Sequence, residues 1–276
     1  MNSISKSIKL LLLLTLCCTS LLDNHTLVLA NPTPAKPSHP LNNRSTGKAV
    51  LAQAVTYKKP QVPPGPGPGG RIRGGARRTL QMCPPLVQPD LTALVSFTEE
   101  SGSVINVWGL TTAERPTWFF YIPYTKKTAY PVQFVLKENQ DQDSRTIYKK
   151  AIALRDQPGI ISVSLPASAS PLEVNKQYRW FLTVSCDKEN NSPPIFVEGV
   201  IQRANLIQAI VQELEKADPL KRVSIYAQEG IWYEALTTLA ELRRQNPQDA
   251  TFQAQWRNLL TSIGLGDIAA EPILPE

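Results

Sequence analysis

Histidine is nearly missing from this chain. Of its 276 residues only His25 and His39 are histidines, and both precede the stretch with folding potential. Ser-His-Asp and Cys-His nucleophilic arrangements, and zinc sites of the His-containing kinds, are therefore excluded from residues 81–276. Cysteine is scarce as well, limited to Cys17, Cys18, Cys83 and Cys186. Long apolar runs are lacking: the longest, Ile8–Leu22, falls short of the ~18–20 residues that cross a bilayer, so no transmembrane span is expected. No Gly-rich phosphate loop follows a strand-like segment, since Gly65–Gly75 precedes all of them. Acidic residues are absent between 31 and 80.

The residues that are present begin with an address. Lys6 and Lys9 precede the leucine-rich Leu10–Leu16 run, and Val28-Leu29-Ala30 supplies the small-residue pattern of a cleavage site. That order reads as a secretory signal peptide over residues 1–30, which places the mature chain in the periplasm or outside the cell. Lipidation at Cys17 or Cys18 is disfavoured because Leu16 and Cys17, rather than small residues, precede them. Cleavage leaves Cys83 and Cys186, whose simplest state in an oxidising compartment is a disulfide rather than two free thiols. Closing so long a loop is worth ~4–5 kcal/mol in the chain-entropy model. A metal site would need two further ligands, so no cofactor is expected.

Residues 31–80 hold nine prolines and seven glycines and read as a disordered basic linker. Nine Lys and Arg lie there, while residues 81–276 carry 18 basic and 22 acidic residues. The net +6 charge thus belongs to the linker, and the folded part is acidic. Such a tail is suited to an anionic envelope polymer or lipid, a solvated spacer being the plainer alternative. Nucleic acid is not expected, because the chain is exported and no aromatics interleave with the RIRGGARR run at 71–78.

From 81 to 203 short apolar runs alternate with turn residues: Leu91–Thr98, Val104–Leu110, Thr117–Pro123, Val132–Glu138, Thr146–Leu154, Gly159–Leu165, Gln177–Cys186 and Ile195–Gln202. In the seventh, Tyr178, Trp180, Leu182, Val184 and Cys186 share one face. Eight such strands without helices between them predict an antiparallel β-sandwich, Ig-like or jelly-roll-like. The pattern then turns helical at Leu206–Lys216, Leu220–Gln228, Ile231–Arg244 and Asp249–Ile263. The fold class expected is α+β, with a sandwich at 81–203 and a helical hairpin or small bundle at 204–276.

Three groups of residues are candidates for a site. Trp118, Phe120 and Tyr121, with Trp108 and Tyr124, form either a stacking platform for a sugar or peptide or a strand covered on both faces. Tyr226, Gly230, Tyr233, Ala235, Leu236, Leu239, Leu242 and Pro247 follow the order of a single tetratricopeptide repeat. That pattern makes Tyr226, Trp232 and Tyr233 a candidate interaction face; a plain helical hairpin packed on the sandwich is the alternative. Glu99, Glu100, Glu114 and Glu198 are the carboxylates closest to strands, as a polysaccharide hydrolase would require. No catalytic residue is assigned.

Four blocks carry a wider likeness: Gly109–Thr111 with Pro116–Pro123; Pro171–Val174 with Tyr178–Trp180 and Cys186-Asp187; Val197–Gly199 to Arg203; and Gly230–Leu236 to Arg243-Arg244. Together they resemble the domain of unknown function 928 family, DUF928, found chiefly in cyanobacteria, over about residues 79–272. Asn175 departs from that pattern, standing where a glycine is usual. The resemblance implies the domain limits and export, and brings no catalytic residues. The function expected is that of an exported, non-enzymatic envelope protein binding another protein or a glycan; the alternative is a carboxylate-dependent hydrolase of polysaccharide or peptidoglycan.

Overall fold

Among the described residues two sheets form a sandwich-like arrangement, followed by four helices. The computed structural model describes residues 53–62, 67–74, 87–100, 104–138, 144–186 and 193–275. The signal-peptide reading of residues 1–30 lies outside them, as does Cys83.

The strands are β1 (Thr92–Ala93), β2 (Phe97–Glu100), β3 (Val104–Thr111), β4 (Thr117–Ile122), β5 (Val132–Glu138), β6 (Thr146–Ile152), β7 (Gly159–Ser164), β8 (Gln177–Val184) and β9 (Ile195–Arg203). The helices are α1 (Gln208–Lys216), α2 (Pro219–Gln228), α3 (Trp232–Gln245) and α4 (Ala250–Thr261). The fold is α+β: one sheet has the order β1-β4-β7, the other β2-β3-β9-β8-β5-β6. Every pairing is antiparallel except β3 with β9, which run parallel from Trp108–Val200 to Thr111–Arg203.

Period-two alternation builds the inner faces. In β5 and β8 every second residue is buried, and Phe134, Leu136, Trp180 and Leu182 lie wholly inside. Strand β4 is covered on both faces. Trp118 and Phe120 meet Phe134 at 5.0 and 6.0 Å, and Phe120 meets Trp180 at 5.6 Å. The opposite face, at Phe119, is closed by α3 and by the C-terminal Ile273 and Leu274. That tail joins the sheet through Ile160 N to Pro272 O and Leu274 N to Ile160 O.

The helices begin and end where local chemistry dictates. Asp218 accepts from Lys221 N ahead of Pro219, and Asp249 accepts from Thr251 N and Phe252 N. Gly230, at φ +74°, makes the left-handed turn between α2 and α3 that an L side chain resists. Asn175 also sits in that region, at φ 63°, a conformation asparagine adopts more readily than most residues with a side chain.

The stretch expected to be a disordered linker differs from expectation at its described residues. Residues 67–74 act as a ninth-strand companion. Arg71 pairs antiparallel with Glu198 of β9, Arg73 pairs with Thr92 of β1, and Val107 N donates to Gly69 O. The segment therefore ties the two sheets together, with Ile72 buried beneath it. Residues 53–60 lie on the helices and bury Val55 and Tyr57. Composition misled here for a physical reason. The glycines serve close backbone approach rather than freedom: a Cβ on Gly74 would fall 2.5 Å from Ile195 Cγ2.

Candidate functional site

Two places in the helical region bear on a site, one at the turn joining α2 and α3 and one between α1 and α2. The first is filled by the chain itself. Residues 53–60 cross the turn at Gly230 in extended form, with Val55 and Tyr57 pointing in and Ala54, Thr56 and Lys58 exposed. Val55 N donates to Gln255 Oε1 at 2.7 Å, and Gln255 Nε2 donates back to Gln53 O at 3.1 Å. Lys58 N donates to Ala227 O at 2.9 Å, and the Tyr57 hydroxyl donates to Gly230 O at 3.0 Å. The Tyr57 ring meets Trp232 edge-on at 4.9 Å. Burial pushes the Tyr57 phenol well above its ordinary range, so it stays a neutral donor.

The second groove is open. It has a volume of about 520 Å³ and runs between α1, α2 and the chain leaving β9. Leu206, Val211 and Leu214 form its apolar wall; Thr112, Arg222 and Tyr226 bring polar atoms to it. Arg222 is held in place by donating from Nε to Leu214 O and Ala217 O. Beside Leu206 in the chain, Ile207 is 70% exposed, an unusual position for a large aliphatic side chain. Burial and the nearby Glu234 charge raise the Tyr226 phenol above its ordinary range.

Glu234 anchors the wall behind Tyr226. From the first turn of α3 its Oε1 accepts from Thr111 Oγ1 at 2.6 Å, Thr112 N at 2.9 Å and Ala113 N at 2.8 Å. Its Oε2 is closed off from solvent without a hydrogen bond. Desolvation outweighs the three bonds and holds the carboxyl above the usual carboxylate range. A carboxyl whose folded pKa is raised costs nothing below its unfolded pKa of ~4.3, and its full cost appears above the folded value. Stability is therefore expected to fall as pH rises from about 4.3 upward through this group. In Glu234→Gln that component should vanish, so the variant's stability relative to the parent improves on going from pH 4 to pH 7. Thermal unfolding of both proteins across that range checks it, and parallel curves would contradict it.

The residues expected as a stacking platform are in the core. Trp108, Trp118, Phe120, Tyr121 and Tyr124 are between 1% and 6% exposed. Trp118 and Phe120 pack on Phe134, Trp180 and Tyr233 rather than facing solvent, so the platform is corrected to a covered strand. Tyr124 packs edge-on against Tyr130 at 5.5 Å, and burial pushes its phenol up to about 12. Of the expected helical interaction face, Trp232 and Tyr233 are turned inward. Trp232 Nε1 donates to Leu94 O at 2.9 Å, and the Tyr233 ring meets Trp118 at 6.1 Å. Only Tyr226 reaches a groove. The inward pair locks α3 onto β3 and β4.

The candidate carboxylates are dispersed. Glu99 is exposed on the short β2, and the Glu100 side chain lies outside the described residues. Glu114 pairs with Arg203 at 3.2 Å and Glu198 with Arg179 at 3.6 Å, each carboxylate facing a guanidinium rather than another acid. Cys186, half-buried just past β8, does not stand as a free thiol. Among the described residues no helix is long and apolar enough to cross a membrane. Sequence reasoning missed the channel for residues 53–60. The alternation of Val55 and Tyr57 was the signal, obscured by the prolines and glycines around it.

A family model described as Domain of Unknown Function (DUF928) matches residues 73–273, beginning inside the segment that ties the sheets. No curated protein matches the chain. Among solved structures, the PmoD soluble domain from Methylocystis sp. ATCC 49242 (Rockwell) is similar at 10% identity, over 41% of this chain and 90% of that one. Its TM-score of 0.27 leaves that likeness without weight for fold or activity.

Proposed function

The chain belongs to the DUF928 family, a domain of unknown function, and we propose for it the role of a non-catalytic binding protein that is exported to the cell envelope and engages a protein partner through its helical region. The observation that carries this is the open groove of about 520 Å³ between α1, α2 and the chain after β9, with an apolar wall and Arg222 and Tyr226 at hand. Exposed Ile207 beside it extends the apolar surface in the manner of an interaction site. A protein fits better than a glycan, because the rings that would stack on a sugar are inside the sandwich. The hydrolase alternative loses support from the pairing of Glu114 and Glu198 with separate arginines.

Export rests on the basic, apolar and small-residue order of residues 1–30. It also favours a Cys83–Cys186 bridge, the only pair left after cleavage, which the bonded state of Cys186 supports. Mass spectrometry of an alkylated, unreduced sample is expected to find neither thiol modified; two alkylated cysteines would remove the bridge. The basic character of residues 31–80 is partly used within the molecule. Arg73 pairs with Asp267 at 2.8 Å, and Arg71 lies 5.0 Å from the Phe196 ring. An electrostatic role toward an anionic polymer or lipid therefore rests on the other basic residues of 31–80.

The test is crosslinking in envelope extracts with the parent chain, Ile207→Asp and Tyr226→Ala. Partners captured by the parent and lost from both variants support the reading. Capture unchanged by either variant overturns the groove's role. Hydrolysis of peptidoglycan by the parent, abolished in Glu114→Gln and Glu198→Gln, would establish the alternative.

A further inference from the structure

We propose that the channel holding Gln53–Pro60 is a peptide-recognition site, filled in this chain by its own segment and open by exchange to an extended segment of a partner protein with the pattern of a β-branched residue, any residue, tyrosine, any residue and lysine. The occupant already seated there defines the chemistry. Val55 and Tyr57 are buried while the residues between and beside them are exposed, which is how a peptide bound in extended form presents itself. Specificity would lie in the two anchors, and affinity in main-chain hydrogen bonds that any sequence can make. Val55 N, Gln53 O and Lys58 N are satisfied by Gln255 and Ala227, and Gln228 Nε2 reaches Thr56 O at 3.3 Å.

The tyrosine pocket is selective for a phenol rather than a plain ring. The Tyr57 hydroxyl donates to Gly230 O, the carbonyl exposed by the left-handed turn between α2 and α3. A phenylalanine would leave that carbonyl without its donor. The lysine position is marked too: Lys59 Nζ lies 5.4 Å from the centre of the Phe97 ring and donates to Phe97 O at 2.7 Å. A basic residue two positions after the tyrosine thus has both an aromatic face and a carbonyl waiting for it.

The channel is also larger than its occupant. A cavity of about 370 Å³ opens beside Ala54 and Thr56, lined further by Glu213, Lys221, Ser224 and Gln228. A partner segment with longer side chains at those exposed positions would fill space that Ala54 and Thr56 leave empty. Charged groups of both signs border it, so an extended polar segment fits there better than an apolar one.

Retention in cis follows from tethering. Residues 61–66 alone separate the segment from the sheet-bound 67–74, and so short a link keeps its effective concentration near millimolar. A partner must exceed that local competition, which makes the channel selective for ligands that also use the adjoining cavity. The proposal deepens the reading of the chain as a binding protein, but it concerns a different surface from the α1–α2 groove. Its test uses purified components, so the two can fail separately.

The experiment uses the full chain carrying Val55→Ala and Tyr57→Ala, titrated with a fluorescent peptide of residues 53–60. Saturable one-to-one binding is expected, at least tenfold tighter than to the parent chain, whose own segment competes. A peptide with alanine in place of the tyrosine should bind at least tenfold more weakly. A folded double variant that binds no peptide, or equal binding to parent and variant, overturns the proposal. Should the double variant not fold, Tyr57→Phe takes its place, since it keeps the ring and removes only the bond to Gly230. A folded Tyr57→Phe chain without peptide binding overturns the proposal equally. A dimer of the parent chain that the peptide dissolves would assign the channel to a second copy and overturn the partner assignment.

Discussion

Gly70→Ala is expected to lower stability by about 3 kcal/mol or more, as the sum of backbone strain and overpacking. Gly70 holds φ at +133°, and a Cβ there would lie 2.7 Å from Val107 Cβ and 2.8 Å from Glu198 O. Neither neighbour can withdraw. Arg71 N donates to Glu198 O and Glu198 N to Arg71 O, while Val107 N donates to Gly69 O, so both strands are bonded at that level. Relief would require breaking these bonds and would expose Ile72 and the edge of β9. Denaturant unfolding of parent and variant measures the effect through the shift in midpoint at constant slope. A glycine in a solvated spacer would change stability by no more than about 0.5 kcal/mol, so a shift that small would return residues 67–74 to the status of a linker.

Trp232→Ala is expected to cost about 3–5 kcal/mol, within the range for deleting a buried large aromatic. The ring is wholly buried at the start of α3, its Nε1 donates to Leu94 O, and its face meets Tyr57. Removing it opens a cavity at the junction of three parts of the chain: the helices, the loop between β1 and β2, and the segment at 53–60. Leu94 O would also lose its donor inside the protein, a further cost of the kind borne by buried carbonyls. The same unfolding experiment reads this effect, and far-UV circular dichroism shows whether the helices survive it. A loss below about 1 kcal/mol would mean that α3 is not anchored on the sheets through this residue.

The strands and helices were legible because each announces itself locally. The alternation of Tyr178, Trp180, Leu182 and Val184 marks β8, and Asp218-Pro219 and Asp249 mark the starts of α2 and α4. The double-sided burial of β4 could be read from four consecutive rings, which no strand with a wet face would carry. The first apolar run, Leu91–Thr98, became two strands because Ala93 pairs with Phe120 in one sheet and Phe97 with Val107 in the other. Nothing in the run itself chooses between sheets.

Long-range pairing was not legible. The parallel match of Trp108 with Val200 joins strands nearly a hundred positions apart, and each strand alternates as it would beside an antiparallel neighbour. The N-terminal segments were hidden by composition. Proline and glycine lower the expectation of order, yet Gly70 and Gly74 permit two backbones to approach more closely than side chains allow. The candidate site shared that fate. Trp232 and Tyr233 stood out as large aromatics on a repeat-like helix, but size and apolarity made them core; of that face Tyr226 alone lines the groove, together with the less conspicuous Leu206, Val211 and Arg222.

The central claim is that residues 53–60 and 67–74 belong to the folded body, the first as an exchangeable occupant of a channel and the second as a tie between sheets. Amide hydrogen exchange on the full chain tests it most directly. Peptides covering 67–74 are expected to be protected to the level of β9, through the bonded amides of Gly69, Arg71 and Gly74. Those covering 53–60 should show intermediate protection, raised no further by conditions that leave global stability unchanged. Exchange of both segments at the rate of an unstructured chain would contradict the account.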